Sequence, residues 1–313
     1  MSTSTPPLSG PQTIQYRPRV ANRDLRWELA SELLHGEGLE IGALHLPLRV
    51  PDTVKVRYVD RMSVPDLRHH YAELAALDLT PVDVIDNGET LETVPENSVD
   101  FIIANHFLEH CQDPIQTIGT HLGKLRPGGV LFYAVPDKRY TFDYQRDVTP
   151  LAHVIEDHEQ GAEKSRSQHY WEWVRWVDSG DADPADDAEL EQKAAELEAA
   201  DYSIHFHVWT QQELLELFLH LRARFTNFDL EAFRPNEIEN IVVLRKHGQL
   251  GAPDPQVAGA FVKSLNSAPA DVAAVPEGFD PVGYLVNNPD VFHAQVDPFT
   301  HYVQYGQREN RTW

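Results

Sequence analysis

The amino-acid sequence predicts an α/β fold whose core is a mostly parallel sheet, and three observations point there. Short apolar runs alternate with segments of helical spacing, the rhythm of strand–helix–strand units joined by right-handed crossovers. One run, Val99–Ala104 (VDFIIA), is apolar at nearly every position, as expected of a strand covered on both faces. Several runs end in acidic or polar residues, where a ligand outside the carboxyl ends of such strands would meet them.

In chain order, residues 21–35 place Leu25, Leu29, Leu33 and Leu34 on one helical face. Gly38 to Gly42 is a short buried strand that stops in a turn. Val54–Val59 is a second strand ending at Asp60, Val82–Ile85 a third ending at Asp86, and Val99–Ala104 a fourth ending at Asn105-His106. Residues 114–125 read as a helix closed by Pro127-Gly128-Gly129, and Val130–Val135 is a fifth strand. A helix near 210–222 follows a long interruption, and two strands at about 225–233 and 239–245 are close enough for an antiparallel hairpin.

The chain has 313 residues and a formal net charge of −23, which disfavours a phosphate-backbone substrate. Its single cysteine, Cys111, allows neither an intrachain disulfide nor a thiolate zinc cluster. Residues 1–15 read as a disordered leader without the basic start and apolar run of a signal peptide. No stretch approaches the ~18 apolar residues of a membrane helix, so a cytoplasmic protein without a membrane span is expected.

The strand ends suggest a nucleoside ligand. A carboxylate at Asp60 suits a ribose diol, and Asp86-Asn87-Gly88 suit an adenine. The first loop decides between cofactors. A dinucleotide needs several glycines so that the backbone can approach a pyrophosphate. Residues 40–48 read EIGALHLPL, with one glycine, which disfavours a nicotinamide dehydrogenase. A ligand with an amino-acid tail and a sulfonium needs one close approach, at Gly42, with Glu40 near its cationic end.

GLEIGA (38–43), YVD (58–60), ETLETVPENSVDFIIANHFLEH (89–110) and LRPGGVLFYAVPD (125–137) together resemble a class I S-adenosylmethionine (SAM)-dependent methyltransferase. Within that Rossmann-like family, EIGA followed by Pro47 resembles a subgroup that often accompanies glycosyltransferases. The resemblance implies a seven-stranded sheet of order 3-2-1-4-5-7-6. It also implies SAM as cofactor, with Glu40, Gly42 and Ala43 by the methionine moiety and Asp60 by the ribose. Asp86, Asn87 and Gly88 would lie by the adenine, and Asn105 and His106 beside the reacting methyl. His110 and Glu109 would support the pocket.

The methyltransferase domain is expected to span 16–246, with 136–208 as a substrate-recognition insertion. In that insertion Trp171, Trp173, Trp176, Tyr140 and Tyr170 offer stacking faces for a saccharide. Asp137, Arg139, Asp143, Arg146, His153, Asp157, His158 and His169 offer hydrogen bonds. The candidates for a proton acceptor are His106, His169, His205 and His207. On a strand, His205 and His207 would share a face, and that spacing can bind a metal with His153, Asp157 or His169. Because the family reaction needs none, no metal is expected at the site. His69, His70 and His121 read as surface residues.

Residues 247–277 read as a linker with room for a short helix, and 278–313 as a small helical module. FDPVGYLVNNPDV…DPFTHYVQYGQREN resembles a module appended to bacterial surface-polysaccharide proteins, and the resemblance implies a protein partner through it. The expected activity is O-methylation of a sugar or glycan hydroxyl. The alternatives are a small-molecule methyltransferase acting on a quinone or lipid-like acceptor, and a non-catalytic SAM-fold scaffold.

Overall fold

A computed structural model of the chain describes residues 24–71, 74–179, 187–225, 227–248, 251–265 and 275–313; the expected leader, 1–15, lies outside them. Seven strands form one sheet. β1 (Glu37–Ile41) lies between β2 (Lys55–Asp60) and β4 (Val99–Asn105), parallel to both. β3 (Val84–Ile85) extends β2, and β5 (Leu125–Pro136) extends β4. β7 (Glu239–Lys246) runs antiparallel between β5 and β6 (Phe228–Asn236), completing the order 3-2-1-4-5-7-6. The order reverses between β1 and β4, and a crevice opens beyond their carboxyl ends.

Alternation along the strands fills two apolar layers. Ile102, Ala104, Leu131 and Tyr133 face α3 (Pro114–Lys124) and α7 (Gln211–Phe225), meeting Ile115, Ile118, Leu214 and Phe218. Phe101, Ile103, Phe132 and Ala134 face the other way, toward Ala30 and Leu33 of α1 (Leu25–Leu33). α3 starts where Asp113 accepts from Gln116 N, with Pro114 as its first residue. α2 (Val64–His70) starts in the same way at Ser63.

The third strand is shorter than its apolar run suggests. Asp83 uses its carboxylate to accept from Tyr58 N at 2.9 Å, taking a place that a longer ladder would occupy. His121 is not a surface residue. It is fully buried on the inner face of α3, where Nδ1 meets the Tyr133 hydroxyl and Nε2 the Gly88 carbonyl, both at 2.7 Å.

After β5 the chain leaves the sheet through α4 (Leu151–Gln160), α5 (Arg166–Trp173) and α6 (Asp187–Ala199). It returns along an extended segment, 203–208, that is not a strand. A parallel bridge between Asp137 and Trp209 closes the base of this excursion. Tyr170, Val174, Leu190, Ile204 and Phe206 give it a small core of its own.

The stretch read as a linker carries α8 (Pro255–Ser264), begun by an Asp254 cap. Ala258 of α8 joins Tyr284 and Leu285 of α9 (Pro281–Asn287), Val291 of α10 (Pro289–His293) and Tyr302, which follows α11 (Pro298–His301). Among the described residues no helix is long and apolar enough to cross a membrane.

Candidate functional site

The crevice is built from the ends of β1, β2 and β4. The chain leaves β1 through Gly42, whose φ of +65° is a conformation that glycine adopts without a steric cost. A Cβ placed there would meet nothing within 4 Å, so open space lies over this turn. Glu40 is 1% exposed; one oxygen accepts from Leu48 N at 2.8 Å, and the other, Oε2, has no partner. Burial pushes the Glu40 carboxyl up to about 7, against the pull of the Leu48 amide and the Arg26 charge. At the end of β4, Asn105 likewise has both side-chain polar atoms buried and unpartnered. Burial also raises the Asp60 carboxyl, opposed by the backbone amides of Arg61 and Met62.

Two cavities meet here. One, of ≈ 440 Å³, is lined by Ile41, Gly42, Asp60, Asn87, Gly88 and His106, with Tyr170, Tyr202 and Phe206 of the insertion across from them. The other, of ≈ 950 Å³, is lined by Glu40, Gly42, Ala43, Asn105 and His106, and beyond them by Asp24, Arg26, His45, Asn236 and Glu239. Gly42, Leu44, His106 and His110 belong to both.

His106 sits just past β4 with φ +50°, an uncommon conformation for a residue with a side chain, and its amide donates to Ala134 O at 2.7 Å. Its ring is held by charge. Nε2 lies 2.7 Å from Glu239 Oε2, and Nδ1 lies 3.8 Å from Glu109 Oε1. Burial lowers the imidazole, but the Glu239 hydrogen bond and the charges of Glu109 and Glu239 outweigh it, so the net shift is upward. Glu239 also accepts from Arg26 Nε at 2.8 Å and from Asn236 Nδ2 at 2.8 Å. Burial alone would raise its carboxyl; the bonds from Arg26 and His106 instead hold it down to about 2. Glu109 is 1% exposed with neither carboxylate oxygen hydrogen-bonded, and burial raises it.

The structure brings Glu40, Gly42, Ala43, Asp60, Asn87, Gly88, Asn105 and His106 to the walls of these cavities. It turns Asp86 away. The Asp86 carboxylate accepts from the amides of Asn87, Glu92 and Thr93 and from the Thr93 hydroxyl, so it braces the turn that presents Asn87 and Gly88. His169, His205 and His207 do not line either cavity and are 5%, 7% and 0% exposed. His205 and His207 diverge: His205 Nδ1 meets Asp143 at 2.7 Å, whereas His207 packs beside His153 and His169. Of the expected stacking aromatics, Tyr170 reaches a cavity, while Trp171 and Trp173 pack against the insertion's own core. Asp143 and Arg146 pair with each other at 3.0 Å, buried beneath His205.

Arg26 and Glu239 were not among the sequence candidates. They come from the helix before β1 and the first residue of β7, and no local motif marks either.

Residues 63–221, just over half of the sequence, match the family described as a methyltransferase domain. The chain belongs to this family of methyltransferase domains. Among solved structures it is similar to a SAM-dependent methyltransferase from Methanosarcina mazei, with 18% identity over 68% of this chain and 93% of that one, TM-score 0.35. It is similar to one from Aquifex aeolicus at 12% identity, covering 67% and 80%, TM-score 0.34. A third is the CurJ carbon methyltransferase, at 13% identity over 68% of this chain, TM-score 0.36, of which this chain spans 49%. A search of curated proteins gave no match.

Proposed function

We propose that this enzyme methylates a hydroxyl group of a saccharide, with His106 receiving the proton. The observation that carries the reading is the place of His106: its ring forms part of both cavity walls and is anchored through Nε2 on Glu239.

The residues present fit SAM. The unpartnered Glu40 Oε2 and the unpartnered amide of Asn105 are buried polar atoms that a ligand's ammonium and carboxylate would satisfy. The open space over Gly42 admits a close approach. In this reading Asp60 holds the ribose and Asn87 and Gly88 the adenine in the smaller cavity, and Glu40, Gly42, Ala43 and Asn105 hold the amino-acid end at the inner end of the larger one. SAM supplies an activated methyl on a good leaving group, so alignment and exclusion of water are what remain for the protein.

The larger cavity then receives the acceptor. Its outer wall sets the polar groups of Asp24, Arg26, His45, Asn236 and Glu239, which can hydrogen-bond a polyhydroxylated molecule, beside apolar Leu25, Leu46 and Ile238. A sugar hydroxyl is a poor nucleophile until its proton leaves. With Nε2–H donated to Glu239, His106 keeps a lone pair on Nδ1 to take that proton. The imidazolium formed is flanked by Glu239 and Glu109. The resemblance of EIGA with Pro47, and of the C-terminal residues 278–311, to proteins of glycan assembly supports the same acceptor class.

The test has two stages. Calorimetric titration of the purified protein with SAM, and separately with NAD, should show one-site binding of SAM alone. Incubation with SAM and a panel of sugars, nucleotide sugars and quinols should then yield S-adenosylhomocysteine and a methylated sugar. Methylation confined to the quinols would overturn the acceptor, and absent SAM binding would overturn the enzyme reading.

A further inference from the structure

A second cluster of histidines lies outside the crevice, and the reaction makes no use of it. His153 and Asp157 are one turn apart on α4, His169 is on α5, and His207 is on the returning segment 203–208. One ligand atom from each of these residues lies within 4.8 Å of the others. His153 Nε2 is 3.1 Å from His169 Nε2 and 3.1 Å from Asp157 Oδ2. Asp157 Oδ2 is 3.8 Å from His169 Nε2 and 3.9 Å from His207 Nε2.

These separations suit four ligands around one ion. Bonds of about 2.0–2.1 Å in a tetrahedron put neighbouring ligand atoms ~3.3 Å apart, and modest side-chain adjustment brings the observed set to that value. The four groups converge on a point more than they bond to one another. Asp157 is 4% exposed, and its Oδ2 has no hydrogen bond although three ring nitrogens surround it. Its other oxygen accepts from the Ser165 hydroxyl at 2.6 Å, which fixes the carboxylate's orientation. The Nδ1 atoms of His169 and His207 have no partner, so the packing aims their Nε2 edges inward. His207 Nε2 also lies 3.2 Å from the Gln112 carbonyl, a hydrogen bond that coordination would exchange for a bond to the ion.

We propose that His153, Asp157, His169 and His207 form a structural site for a divalent zinc-class ion, which staples the insertion's helices to the segment that returns to the sheet. Three imidazoles and a carboxylate are a zinc-type donor set, and four protein ligands, three of them buried, leave no open position for chemistry. The site bears on the crevice indirectly, because Tyr170 follows His169, and Phe206 precedes His207, and both line the smaller cavity. The proposal is independent of the acceptor.

The experiment uses the full chain. Metal content is measured as purified, then the metal-free protein is titrated with zinc against a chromophoric chelator and separately loaded with cobalt(II). One zinc per chain, a raised melting temperature and the intense visible bands of tetrahedral cobalt are the expected result. Asp157→Asn keeps the Ser165 acceptor, and His153→Ala changes the ligand that reaches the surface, so both should fold and bind SAM while losing stoichiometric zinc. Weak zinc binding at several sites unchanged by these variants, or a weak octahedral cobalt spectrum, would overturn the proposal.

Discussion

His106 Nε2 and Glu239 Oε2 lie 2.7 Å apart, joining the end of β4 to the start of β7 across the β5 strand between them. The bond fixes which ring nitrogen is free, and it raises the pKa of the proposed base. Activity should therefore be present at high pH and fall as pH drops through a midpoint above the ordinary histidine value of ~6.5. In Glu239→Gln the carboxylate charge is gone, so the midpoint of kcat/KM should move down by roughly one pH unit or more. An unmoved profile would show that another group sets the acid limb. His106→Asn should lower kcat about 10²–10⁴-fold with SAM affinity retained.

Glu40 links cofactor affinity to pH. Its carboxyl is pushed up to about 7 by burial, and the free Oε2 must be ionised to hold an ammonium. SAM should bind at full strength above that value and weaken about tenfold per pH unit below it. Glu40→Gln should bind roughly 10–100-fold more weakly at pH 8, since a hydrogen bond to a charged group contributes ~1.5–3 kcal/mol. The variant's affinity should also be flat between pH 5.5 and 8 by calorimetry. A wild-type affinity that does not change with pH would place the ammonium elsewhere.

The sheet was legible because its signals are local. Val99–Ala104 could be read as a doubly covered strand, and Gly42 as a turn, without knowing what lies beside them. The other half of the site was not, because it is assembled by topology. Glu239 reaches His106 because β7 lies next to β5, an order that the family resemblance implies, but no residue around 239 marks this glutamate as part of the site. His121 misled for a related reason: its two partners, Tyr133 and the Gly88 carbonyl, come from other elements. His205 and His207 have strand-like spacing, yet the segment pairs with no strand, and the two rings enter different clusters.

Asp60 carries a prediction free of any titration. It closes β2 and lines the smaller cavity, where its carboxylate is placed to accept from a ribose diol. Asp60→Ala should weaken SAM binding by roughly 10–100-fold, again from the ~1.5–3 kcal/mol of a charged hydrogen bond. The melting temperature should change little, since the carboxylate's partners are two adjacent backbone amides at a strand end. Equal SAM affinity in the variant and the wild type would remove β2 from the cofactor site.

His121 supplies a stability test whose sign can be worked out. Burial lowers its folded pKa to about 4, whereas the unfolded ring titrates near 6.5. The neutral ring's contribution is therefore complete above ~6.5 and is lost as pH falls toward 4, because only the unfolded chain binds the proton in that window. Near pH 5 the loss reaches about 2 kcal/mol. Glu40 and Glu89, both pushed up to about 7 by burial, act in the opposite direction over the same range, so the wild-type curve alone cannot isolate the histidine. A comparison with His121→Leu can. At pH 7.5 the variant should be less stable, since the Tyr133 hydroxyl and the Gly88 carbonyl lose their partner at ~1–3 kcal/mol for each group left unsatisfied. That deficit, measured by urea unfolding, should shrink as pH is lowered from 6.5 to 5. A deficit independent of pH would mean that the ring is protonated in the folded chain, and that the turn carrying Gly88 is held by an imidazolium instead.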